Sequence, residues 1–186
     1  MLAKTLIFIG LLSGTSMLFA QASSTASRKG DLQIGGGFSD ANSDYLPVRY
    51  KGESAYIDYN FRSHWGVEGE FNFVKDSVSG SYEKSYEIGP RYFRTYNRFT
   101  PYAKVLVGRG VYNDSEPLVT FPATTPTTYF VAFNLAYNMA AGGVGVDYQV
   151  NRHINARAGW EYQKWLNFAI SSLTPNIISV GGAYHF

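Results

Sequence analysis

The chain has 186 residues, with 16 Lys and Arg against 14 Asp and Glu (formal charge +2), 15 Tyr, 13 Phe and 19 Gly, and no cysteine. So even a balance offers a polyanion such as nucleic acid no bulk attraction, and the missing cysteine excludes disulfides, thiolate metal sites and a lipid-anchoring thiol. Abundant aromatic residues and glycine favour many short strands over a helical domain.

At the N-terminus, Lys4 leads into the apolar run "TLIFIGLLSGTSMLFA", which closes on the small-residue pattern Ala20-Gln21-Ala22. This is the form of a secretory signal with an A-x-A cleavage site, so residues 1–22 are expected to be removed on export. A membrane-anchoring helix fits less well, because Gly10, Ser13, Gly14, Thr15 and Ser16 interrupt a run already short of the roughly 20 residues that span a bilayer. Residues 23–30 are expected to form a flexible segment, and 31–186 one domain.

Beyond Ala22 the pattern is alternation with period 2, which predicts eight strands at about 31–39, 53–61, 65–74, 83–92, 99–112, 139–150, 154–165 and 176–186. The second, "SAYIDYNF", sets Ala55, Ile57, Tyr59 and Phe61 against Ser54, Tyr56, Asp58 and Asn60. The third, "WGVEGEFNFV", sets Val67, Phe71 and Phe73 against Glu68, Glu70 and Asn72. In the seventh, Ile154, Ala156, Ala158, Trp160 and Tyr162 oppose Asn155, Arg157, Gly159, Glu161 and Gln163. The eighth runs to the last residue, with Ile178, Val180, Tyr184 and Phe186 at alternate positions.

Connections after the second, fourth and sixth strands are short, as at Arg62-Ser63-His64 and Asn151-Arg152-His153, and those after the odd strands are longer. Strands of roughly 9–11 residues, an even count and alternating loop lengths are the marks of an antiparallel up-and-down transmembrane β-barrel of the outer membrane. Charge then separates this from a soluble barrel, whose charges would face outward. Asp58, Glu68, Glu70, Glu87, Arg91, Lys104, Asp147, Arg157 and Glu161 share one face with Gly35, Gly37, Gly89, Gly108, Gly143, Gly145 and Gly181, while the other face is nearly free of charge. A polar lumen and a lipid-facing apolar exterior account for that split, and the nine charged residues are predicted to form an ion-pair network inside. Two aromatic girdles are expected: Phe61, Trp65, Phe99, Tyr148 and Phe186 towards the periplasm, and Phe38, Phe73, Tyr112, Trp160 and Trp165 towards the outside.

The glycine-rich opening "DLQIGGGFSDANSDY", the segment "GGVGVDYQVNRHINARAGWEYQKW" and the closing "VGGAYHF" resemble the small eight-stranded outer-membrane barrels of the OmpA and OmpX type, the outer-membrane protein beta-barrel domain group. The resemblance covers 31–186. It implies that Ile178, Val180, Tyr184 and Phe186 act as the assembly signal read by the barrel-insertion machinery. Gly182 departs from the pattern where a larger apolar residue would stand. A Gram-negative outer membrane, contact with its lipid and lipopolysaccharide, and a monomer are the corresponding expectations.

No catalytic, cofactor or metal site is predicted. A lipid A hydrolase needs a nucleophile and base at the outer leaflet, whereas His64, His153 and His185 all fall at the periplasmic end. "NDS" at Asn113 formally matches a glycosylation acceptor and is read as chance. Lys51, Lys75, Lys84, Arg109 and Lys164 take outward parity near the external strand ends, where they suit lipopolysaccharide phosphates or snorkel to the membrane edge. The leading expectation is a structural or surface-interaction protein acting through its external loops, above all the segment 113–138, whose aromatic stretch "TTYFVAFNLAY" offers the alternative of a fifth hairpin extended above the membrane. A narrow porin-like channel is the alternative, with a lipid A-modifying enzyme or a soluble lipocalin-like carrier behind it.

Overall fold

A computed structural model of the chain describes residues 30–44, 49–118, 128–168 and 173–186. The expected signal at 1–22 lies outside them. Eight strands follow in order: β1 Asp31–Asn42, β2 Arg49–Asn60, β3 Trp65–Lys75, β4 Tyr82–Phe93, β5 Phe99–Leu118, β6 Thr128–Gln149, β7 Ile154–Trp165 and β8 Asn176–His185. Each pairs antiparallel with the next, and β1 closes on β8 through the register Gly37↔Gly181 and Gln33↔His185. The start of β1, the end of β8 and the turns 61–64, 94–98 and 150–153 lie at one end, called here the lower end. The ends of β1, β3, β5 and β7 and the β3–β4 turn lie at the upper end.

The alternation read from the sequence sorts side chains as a membrane barrel requires. Outward Val105, Ile88 and Val107 are 61 %, 59 % and 59 % exposed, while Asp58 and Glu68 on the inner face are fully buried. A water-soluble fold would reverse that arrangement. Closure depends on glycine at the seam, because a Cβ at Gly37 would overlap the Val180 carbonyl and one at Gly181 the Gly36 carbonyl. At the other glycine-dependent point, the β3–β4 turn, Gly80 has φ 78° and donates its N–H to the Asp76 carbonyl at 3.2 Å.

Two expectations are corrected. Tyr112 and Trp165, assigned to the external girdle, are buried inside the upper lumen at 0 % and 1 % exposure. They share inward parity with Gly110 and Gln163, and the greasy layer they belong to is a lumen packing, not a membrane belt. The segment 113–138 is not one long loop, because β5 runs on to Leu118 and β6 begins at Thr128. Asn113 is buried at 4 %, which leaves its acceptor motif inaccessible in the folded barrel.

Candidate functional site

The nine lumen residues come from β2 to β7, and none comes from the glycine seam of β1 and β8. Along the wall, register sets like charges side by side: Asp58↔Glu68, Glu70↔Glu87 and Arg91↔Lys104. Opposite charges meet along the wall only at Asp147↔Arg157. The compensating pairs therefore reach across the lumen, which a barrel of eight strands is narrow enough to allow.

Two groups result. In the lower one, the Arg157 guanidinium donates to Asp147 twice, at 2.6 and 3.1 Å, and to Glu68 at 3.2 Å, and also meets Asp58. Arg91 lies 3.3 Å from both Asp58 and Glu68 and pairs with Asp147. In the upper group, Lys104 Nζ sits 2.9 Å from Glu68 and 2.8 Å from Glu161, and pairs with Glu70. Glu68 joins the groups by serving all three cations. Glu87 has no cationic partner among the described residues, and its Oε1 accepts from Gln163 Nε2 at 2.8 Å.

Aromatic rings complete the packing, and the sequence reading gave them no role. Arg157 lies 3.8 Å from the Tyr56 ring centroid and 4.7 Å from that of Tyr102, and Arg91 lies 4.2 Å from Tyr102. Delocalised guanidinium groups gain from such stacking where they are withdrawn from water. The signal was present, since Tyr56 and Tyr102 share the parity of Asp58 and Lys104 and stand two residues from them.

Above these charges the lumen turns largely apolar, with Glu83, which the sequence reading did not single out, buried at 3 % between Val74 and Tyr112. Ala41, Tyr50, Val74, Leu106, Tyr112, Met139, Ala141, Trp165, Leu173 and Ile177 form one buried cluster, with Phe133, Tyr137 and Phe168 packed on it. Gln163 joins the two layers, accepting from Trp165 Nε1 at 2.9 Å while donating to Glu161 and Glu87. Below the charges, a polar cavity of about 160 Å³ lies against Arg91, Asp147, Asn60 and Asn155 at the lower mouth.

The other sequence-predicted residues lie on the surface. Lys51, Lys75, Arg109 and Lys164 are exposed and Lys84 is half-buried, all outward. Lys51 stands directly opposite Lys75, and Lys84 opposite Phe73 and Val111, so four of the five cations form an arc from β2 to β5. Ile178, Val180, Tyr184 and Phe186 are about half exposed along the outer face of the closing strand. The Phe186 N–H donates to the Leu32 carbonyl at 3.0 Å, and its ring meets Tyr184 edge-on at 5.0 Å. His64 and His153 stand exposed in lower turns, and His185 pairs with Asp31.

In the upper β3–β4 turn, Asp76 accepts from the Ser79 N–H and hydroxyl, both at 2.7 Å. The Ser79 backbone bond foremost holds the Asp76 carboxyl below its ordinary range. Among the described residues no His, Asp and Glu group has the geometry to hold a metal ion.

The chain matches the family described as "Outer membrane protein beta-barrel domain" over residues 10–186. Among solved structures it is similar to Ail, the attachment invasion locus protein of Yersinia pestis, crystallised with the heparin analogue sucrose octasulfate (TM-score 0.55, 18 % identity, 85 % of this chain and 99 % of that one). It is also similar to Neisserial surface protein A (TM-score 0.63, 12 % identity, 85 % and 97 %) and to OprG from Pseudomonas aeruginosa (TM-score 0.52, 17 % identity, 87 % and 98 %). Identities this low speak to fold alone. Nothing among the curated proteins matches. A family match across nearly the whole chain, on a closed barrel with buried charges and an apolar exterior, identifies the protein as a member of the outer membrane protein beta-barrel domain family, an eight-stranded barrel of the Gram-negative outer membrane.

Proposed function

We propose that the barrel is a rigid mount for a surface-interaction element, the ribbon formed where β5 and β6 outrun their neighbours. The carrying observation is the register. β4 leaves β5 at Asn113 and β7 leaves β6 at Met139. Asp114–Leu118 and Thr128–Phe133 therefore pair only with each other, across an irregularity at Asp114/Ser115, above a stretch in which Asn134–Asn138 pair with Arg109–Asn113. The β6 residues Thr128–Phe133, at roughly 3.3 Å each, extend the ribbon beyond the other strand ends. Inward Phe133 and Tyr137 pack on the apolar cluster and fix its base. Val131, outward beyond the irregularity, is 59 % exposed, and Leu135, opposite Tyr112 on the inner face, is 47 % exposed.

Strand edges without a ladder partner and exposed apolar side chains suit a polypeptide partner. Residues 113–138 contain Asp114 and Glu116 and no Lys or Arg, so the sulfated ligand seen with Ail is not the chemistry this ribbon would attract. The ion pairs and apolar layer filling the lumen favour a mount over a conduit. In the same reading the arc Lys51, Lys75, Lys84 and Arg109, with Lys164 apart, meets lipopolysaccharide phosphates. The stripe Ile178, Val180, Tyr184 and Phe186 serves the assembly machinery, after export by a cleaved signal, and the barrel works as a monomer.

The test replaces residues 115–132 by Asn-Gly. Cells carrying the shortened protein should keep a heat-modifiable barrel yet attach to protein-coated surfaces no better than cells lacking the chain. Attachment equal to that of the intact protein would contradict the reading.

A further inference from the structure

The three lower turns, 61–64, 94–98 and 150–153, contain Arg62, Arg94, Arg98 and Arg152 and no acidic residue. All four arginines are exposed, and among the described residues none enters an ion pair. The acidic side chain nearest this rim, Asp31, is occupied by His185 and by Asn60, whose Nδ2 donates to it at 3.3 Å. The opposite rim is mixed, with Asp40, Asp44, Asp76 and Glu116 among its lysines. One end of the barrel therefore carries unneutralised positive charge.

Depth and spacing indicate what it meets. Arg62 lies three residues before Trp65, Arg94 two after Tyr92, and Arg98 beside Phe99. Those rings face lipid at 47 %, 42 % and 55 % exposure; Trp65 and Tyr92 are in edge contact at 5.2 Å, and Phe99 meets Tyr148 at 5.0 Å. His64 stacks on Tyr92 and His153 on Tyr184, at 6.2 and 5.7 Å. Such rings sit at headgroup level, which puts the neighbouring guanidinium groups at phosphate depth.

The turns occupy three of the four gaps around the circumference, and the fourth lies between the start of β1 and the end of β8. Cations distributed around a ring match an annular shell of lipid. A docked protein would instead need them gathered on one side.

We infer that Arg62, Arg94, Arg98 and Arg152 form a ring that selects anionic phospholipid headgroups of the phosphatidylglycerol class from the periplasmic leaflet. The planar fork of each arginine matches two phosphate oxygens, and with no acid among them the four fields add. The selectivity is electrostatic and therefore falls with salt.

The experiment uses protein purified from outer membranes and reconstituted in phosphatidylcholine vesicles. With Trp160→Phe, Trp65 becomes the one lipid-facing tryptophan, because Trp165 is buried. Quenching of Trp65 by brominated phosphatidylglycerol is compared with quenching by the same fraction of brominated phosphatidylcholine. The ring predicts an enrichment of about fivefold for the anionic lipid at low salt, as a basic cluster near a headgroup layer gives. High salt, or the variant R62Q/R94Q/R98Q/R152Q in its heat-modifiable folded form, should abolish it, while K51Q/K75Q/K84Q should leave it intact. Equal quenching by the two lipids, or enrichment that survives loss of the four arginines, overturns the inference. Binding of soluble polyaspartate without lipid enrichment overturns it in favour of an acidic protein partner.

Discussion

The lower and upper halves of the lumen are lined by one strand parity and packed in opposite ways. Lys104 stands among carboxylates, and two residues further along β5 Leu106 lies in a fully buried apolar cluster. On β7 the change falls between Gln163 and Trp165, whose side chains are joined by a hydrogen bond. Parity thus decides which face a side chain takes, and height along the strand decides what holds it there. The lower half depends on partners whose loss leaves a charge stranded, and the upper half on contact area.

The largest break in that contrast is Arg157→Ala, which leaves Asp58, Glu68 and Asp147 to share Arg91, with Lys104 reaching only Glu68. Urea unfolding in lipid vesicles should show a loss of about 3–5 kcal/mol, with strong coupling to Asp147→Asn in a double-mutant cycle. Leu106→Ala, in the apolar half, should cost about 2–4 kcal/mol for the transfer term and the cavity together. Its cost should not change with salt.

Trimming Phe186 removes a lipid-facing ring and one seam hydrogen bond, so it should slow insertion by the assembly machinery more than it lowers the stability of barrels that do insert. Pulse-chase appearance of the heat-modifiable form measures the first, and urea unfolding the second. Glu87→Gln touches an acid without a cationic partner and keeps an acceptor for Gln163, so the stability change should stay within about 0.5 kcal/mol. A loss as large as that of Arg157→Ala would show that Glu87 belongs to the paired network.

The smallest effect concerns Asp76. Its carboxyl is held below the ordinary value of 3.8 by Ser79, so its contribution is complete above that value and is lost as pH falls through the depressed one. Proteolysis at the β3–β4 turn should rise in that acid window, and Asp76→Asn should remove the pH dependence.

Strand count, inside-out polarity and closure were legible because alternation with period 2 survives along every strand. Height was not, because nothing in an alternating sequence marks where the bilayer stops. "TTYFVAFNLAY" alternates above the membrane as the other strands do within it, and Tyr112 and Trp165 look like interfacial rings until register places them inside. The nine charged residues were legible as a set, but their partners were not. Register puts like charges beside each other on the wall, and the pairing runs across the lumen between strands distant in sequence. The arginine rim was present as three short turn sequences and gained meaning only once closure placed them around one end.

Planar-bilayer recording of the purified protein in concentrated potassium chloride tests most directly whether the barrel is a filled mount. Ion pairs below and an apolar layer above predict no unitary conductance steps. Regular ohmic steps from the unaltered protein, with a selectivity that changes on Arg157→Ala, would contradict the mount and establish a conducting lumen.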